Sequence, residues 1–148
     1  MKTFEELKKE LLDLAKSKNA CEDGYKMGLL CKSKKDLLIA ITSNWWWVLS
    51  ESKMIDSTFL EANFTAEELK NAGILVSGNH EAHNETFFAC GSSTVEAYDS
   101  STVEAYGLSY VNDFTGEVKN VSDSGIIRDY FRKKIYIKKG NFEIIEIK

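Results

Sequence analysis

The sequence predicts an α+β protein in which an N-terminal helical head is followed by a short β-solenoid closed by a C-terminal strand cap. Three observations carry this reading. Ser92-Ser93-Thr94-Val95-Glu96-Ala97-Tyr98 returns unchanged, eight residues later, as Ser100-Ser101-Thr102-Val103-Glu104-Ala105-Tyr106, an internal repeat of the kind that builds stacked architectures. Within each copy Val and Ala alternate with Thr, Glu and Tyr, the period-two pattern of a half-buried strand. The helical signals, by contrast, fall in the first half, where Thr3 with Glu6 and Thr65 with Glu68 form capping boxes.

Taken in order, Phe4, Leu7, Leu11, Leu12 and Leu14 recur at helical spacing toward Lys16 and predict a first amphipathic helix. Cys21 to Cys31 predicts a second, weakened by Gly24 and Gly28 at about 1 kcal/mol each relative to Ala. Ser33 with Asp36 caps a third, Lys34 to Thr42, whose Leu37, Leu38, Ile39 and Ile41 are too apolar for a surface helix. Trp45, Trp46 and Trp47 follow, and three consecutive helical side chains fan through roughly 200°. They cannot all enter one core face: two are expected to seal the junction between helices and strands, with Trp46 a candidate contact for a partner. A short helix over Ala66 to Ala72 stops at Gly73. Ile74-Leu75-Val76 then reads as a brief first strand, and the polar Asn79 to Glu85 as a loop.

From Phe87 an eight-residue beat takes over. Val95, Val103 and Val111 keep it, Val118 arrives one residue early, and Ile127 and Ile135 resume it. Turn residues follow the same beat at Gly91, Asp99, Gly107 and Asp123, with Gly116 and Gly140 one residue late. Two such strands per coil give a 16-residue turn that stacks on the next at about 4.8 Å, with Phe87 to Lys148 supplying nearly four coils. An antiparallel β-meander is the alternative with the same period. The division expected is 1–76 for the helical head and 77–148 for the β-repeat module, packed as one unit, with the head capping one end and Ile135-Tyr136-Ile137 and Phe142 to Ile147 closing the other. With no Pro to block edges, the Lys-rich run from Arg132 to Lys139 takes that role.

A net charge of −4 and a pI near 5.3 argue against general phosphate-backbone binding, which needs excess Lys and Arg. The charged N-terminal decapeptide and the absence of a long apolar run predict a soluble, cytoplasmic chain without membrane contact. Cys21, Cys31 and Cys90 lack C-x-x-C spacing and read as free thiols. His80-Glu81-Ala82-His83 is one residue short of H-E-x-x-H, and His83-Asn84-Glu85 lacks the P-C-x-x-C that completes a zinc deaminase signature. A nucleophilic Cys90–His83 pair has no other support, so no enzyme activity, metal or cofactor is expected; a metal-dependent hydrolase using His80 and His83 is the remaining alternative.

The octapeptide formed by Ser-Ser-Thr-Val-Glu-Ala-Tyr and the Asp99 or Gly107 that ends it resembles the repeats of small proteins of gut bacteria and their mobile elements. The resemblance reaches loosely to Phe64 to Ile74 and Ile126 to Tyr130; it implies a helical head followed by β-repeats, and no activity. These readings together predict a non-catalytic protein-interaction module. Its binding residues are Glu96, Tyr98, Glu104 and Tyr106, all expected to point outward, together with Trp46 and the basic Arg132, Lys133 and Lys134, the last three being also the candidate contacts for nucleic acid. A narrower alternative is a phage or mobile-element inhibitor of a host defence nuclease, of the anti-CRISPR kind, using acidic residues to mimic a phosphate backbone.

Overall fold

A computed structural model describes residues 1–116, 121 and 124–138. Among these residues five α-helices precede six β-strands. The helices are α1 (Phe4–Ser17), α2 (Glu22–Leu30), α3 (Lys34–Ser43), α4 (Ser57–Asn63) and α5 (Ala66–Asn71), with a π-helical turn at Trp46–Glu51. The strands are β1 (Ile74–His83), β2 (Thr86–Tyr98), β3 (Thr102–Ala105), β4 (Tyr110–Asp113), β5 (Ile126–Asp129) and β6 (Lys134–Ile137).

Both capping boxes form: the Thr3 and Thr65 hydroxyls accept from the Glu6 and Glu68 amides while the two glutamates accept from the cap amides. Ser33 caps α3 through Asp36 N, and Cys21 Sγ accepts Gly24 N at 3.4 Å at the start of α2. Gly28 in α2 has a packing reason, since a Cβ there would stand 3.1 Å from Leu12 Cδ2 of α1. Helix α4 was not anticipated; its signal is Asp56, whose carboxylate accepts Phe59 N at 2.8 Å. In α3, Leu37, Leu38 and Ile41 enter the core but Ile39 is exposed, so the helix lies at the surface with its apolar stripe inward.

The strands wind as a parallel solenoid. β1 pairs with β2, β2 with β3 and β4, and β4 with β5, all in parallel, at a spacing of 16 residues from β2 onward (Val95 with Val111, Val111 with Ile127, Phe87 with Val103). Parallel pairing rules out the meander. β6 turns back antiparallel on β5 and supplies the strand cap, so Ile135, which continues the eight-residue beat in sequence, is not a coil position and is 66% exposed. Val118, Asp123, Lys139, Gly140 and Phe142 to Ile147 lie outside the described residues.

The corners explain the beat. Gly91, Asp99, Gly107 and Gly116 all adopt left-handed backbone, with φ of +59°, +57°, +62° and +74°. Between them the odd-numbered residues Val95, Ala97, Val103, Ala105, Val111 and Ile127 point into the lumen and are buried, as their alternation predicts. Alanines Ala82, Ala89, Ala97 and Ala105 share that buried cluster, where their small side chains fit between the larger Val and Ile.

β1 corrects the sequence reading. The segment 79–85, expected as a loop, is strand as far as His83. Its pairing offset on β2 is 14 residues at Ile74 and Leu75 and 15 from Ser77 onward, with a bulge between. That one-residue slip reverses the parity, so His80 and Ala82 face inward where a continued beat would put Glu81 and His83. β1 starts at Ile74, directly after the turn at Ala72 and Gly73.

The head lies along the side of the solenoid. Its core of Leu7, Leu38, Leu60 and Phe64 is continuous with Ile74, Val76, Cys90 and Tyr106, outward residues of three successive coils. Trp45 is the seal, buried with its ring 4.7 Å from Phe88 and 5.5 Å, edge-on, from Tyr106. Its Nε1 has no hydrogen-bond partner among the described residues. Trp46 is 45% exposed and Trp47 half-buried, the fan that three consecutive positions require. Among the described residues no helix is long and apolar enough to cross a membrane.

Candidate functional site

Because one coil contains two octapeptides, the two identical copies occupy opposite sides of the flattened solenoid. Glu96 and Tyr98 stand on the open side; Glu104 and Tyr106 stand on the side that faces the helices. Tyr106 is 1% exposed, which corrects its assignment as an outward binding residue: its outward direction is toward Trp45 and Trp46. The intra-repeat chemistry is nevertheless the same in both copies, with Tyr98 Oη donating to Glu96 Oε2 at 2.7 Å and Tyr106 Oη to Glu104 Oε2 at 2.5 Å.

On the open side the register assembles a feature that the sequence reading passed over. His83, Tyr98, Phe114 and Tyr130 share one row on successive coils, and their rings stack face to face with centroids 5.1, 5.0 and 4.6 Å apart and planes within 14° of parallel. Their periodicity was visible, since Tyr98, Phe114 and Tyr130 are spaced by 16, but an eight-residue search for aliphatic residues does not pick it out. Phe114 and Tyr130 remain 40% exposed. The Arg128 guanidinium covers the last ring, with Cζ 4.7 Å from the Tyr130 centroid. Stacking along the coil axis uses up the ring faces, so solvent and any partner meet ring edges. A stack of this kind does not offer the open faces on which successive bases stack.

Beside the aromatic column runs a second outward row, Glu81, Glu96, Asn112 and Arg128, in direct register. Its charge changes sign from the first coil to the last. At the acidic end His83 Nδ1 lies 3.1 Å from Asp99 Oδ2 and Nε2 3.7 Å from Glu81 Oε2. The hydrogen bond to Asp99 raises the His83 pKa above the usual imidazole value, and the hydrogen bond to Glu96 raises that of the Tyr98 phenol.

The basic residues lie at the far end of the same sheet. Arg132 is engaged structurally, its Nη1 donating to Gly116 O and standing 3.2 Å from Oδ2 of the buried Asp129. Lys133, at φ +54°, makes the exposed turn into β6, and Lys134 opens that strand. Trp46 belongs to the helical side and is not brought together with Tyr98.

The histidine chemistry does not assemble. His80 is in register with the lumen residue Val95 and His83 with the outward Tyr98, so the two imidazoles leave opposite faces of β1; His80 Nε2 lies 2.7 Å from Ser77 O. Cys90 is buried under the head, and desolvation pushes its thiol up to about 12, away from the thiolate a nucleophile needs. It faces the helices while His83 faces solvent. Among the described residues no three His, Cys, Asp or Glu side chains converge on a metal position. No protein family, characterised protein or solved structure matches the chain.

Proposed function

We propose that the protein is a non-catalytic protein-interaction module that binds through the open face of its solenoid. The observation that supports this reading is the half-exposed stack of His83, Tyr98, Phe114 and Tyr130. Stacked rings lose little conformational freedom on binding, because their χ angles are already fixed by their neighbours above and below. The adjacent row adds charged groups of both signs, which set orientation and partner choice. A phosphate mimic needs an acidic row throughout, and Arg128 breaks it, so the general interaction reading is preferred to a nuclease inhibitor.

The test compares capture of partners from the native host by the wild-type chain, by a Tyr98→Ser, Phe114→Ser, Tyr130→Ser triple variant, and by His80→Ala. The triple variant is expected to melt cooperatively yet lose at least about tenfold in capture, since exposed aromatic anchors each contribute on the order of 1–2 kcal/mol to an interface. His80→Ala is expected to bind as the wild type does. Undiminished capture by a folded triple variant sinks the reading.

A further inference from the structure

We propose that the open face is self-complementary and pairs two copies of this chain about a two-fold axis. This rests on the reading of that face as an interaction surface and names its occupant. The argument is the order of charge in register: Glu81 on β1, Glu96 on β2, Asn112 on β4, Arg128 on β5. A two-fold axis lying between two facing sheets and running parallel to their strands reverses the order of coils but keeps position along each strand. Glu81 then meets Arg128 of the second copy, Glu96 meets Asn112, and the aromatic column meets the reversed column, Tyr98 against Phe114. An axis along the coil stack would instead set Glu81 and Glu96 against themselves. The charge order thus selects one of the two symmetric arrangements of a face-to-face pair.

Glu81 is the more accessible acid, its nearest cationic neighbour being His83 Nε2 at 3.7 Å. Its side chain is 71% exposed, whereas the Glu96 carboxylate already accepts the Tyr98 hydroxyl at 2.7 Å. Arg128, exposed and held over Tyr130, presents its charge at the opposite end of the row. Four strands at about 4.8 Å and five residues at about 3.3 Å make a face of roughly 300 Å², well below the ~800 Å² per partner of a standard interface. The pair is therefore of the weak, reversible class, populated at high concentration.

The experiment is sedimentation equilibrium of the full chain from low micromolar to near-millimolar concentration, with melting temperatures as the check on folding. The wild type is expected to show a reversible monomer–dimer equilibrium. E81R and R128E, each of which sets like charges together twice per dimer, are expected to weaken it at least about tenfold. An equimolar mixture of E81R and R128E is expected to recover association as a heterodimer, because the reversed charges then face their opposites. A wild type that is monomeric throughout overturns the pairing, as does a mixture of folded variants that fails to recover. Neither result touches the binding of a different partner, which the serine variants test separately.

Discussion

Tyr98 and Tyr106 have the same seven-residue history, yet one stands half-buried in an open aromatic stack and the other lies under two tryptophans. Local sequence decided what both share: the strand parity, the inward Val and Ala, and the hydroxyl bonded to the glutamate two residues back. What it did not contain is which side of the coil each copy would take, because that follows from where the helices dock. The His83–Asp99 contact is likewise a product of register, joining residues 16 apart in adjacent coils. It carries a pH prediction. The His83 pKa is raised on folding, so the contact stabilises the fold fully below the unfolded imidazole value of about 6.5 and loses that contribution as pH rises through the higher folded value. An NMR titration should place His83 above the usual imidazole value and Asp99→Asn should bring it down, with the Tm gap between the two proteins closing as pH rises. An unchanged His83 titration in Asp99→Asn would refute the assignment of Asp99 as the cause.

At the scale of elements, the caps and the coil beat were legible because each is a short-range rule: Thr with Glu three residues on, or a left-handed corner every eight. β1 was legible only at Ile74 to Val76, because its later polar residues His80, Glu81 and His83 resemble a loop and its bulge breaks the beat before it begins. It becomes a strand only by lying on β2, a tertiary cause. The site suffered accordingly: Tyr98 and Glu96 were named, but His83, Glu81, Phe114 and Tyr130 join them only once the coils are stacked. The corners also differ in tolerance. A Cβ on Gly91 would fall inside van der Waals contact with Val76 O and 3.0 Å from Ser57 Cβ of α4, whereas on Gly107 the nearest atom is Gly91 N at 3.1 Å. Both are left-handed, which alone costs an L-residue about 1 kcal/mol. Gly91→Ala is therefore expected to lower stability by about 3 kcal/mol or more and Gly107→Ala by about 1–2 kcal/mol, measured by urea unfolding. Equal losses would mean that Val76 O and Ser57 do not crowd the Gly91 corner.

For the whole molecule, the helical head and solenoid were readable as parts, but their arrangement was not. The expected end cap is a flank: helical residues share one core with outward residues of three coils, and β1 is left as the outermost strand of its sheet among the described residues. The reason is that Phe88, Cys90 and Tyr106 occupy polar-face positions by parity, and only a covering layer makes apolar residues acceptable there. Sidedness has a consequence for how such a chain can lengthen. In the language of replication slippage, gain or loss of one octapeptide is a frameshift of the fold: parity survives, but every later residue changes sides, and Phe114 would be delivered to the tryptophans. Duplication of Ser92 to Gly107 is in frame, adding a whole coil and one more ring to the stack. That duplicate is expected to melt cooperatively near the wild-type temperature, and deletion of Ser92 to Asp99 to abolish the cooperative transition, so the copy number this fold tolerates counts in pairs.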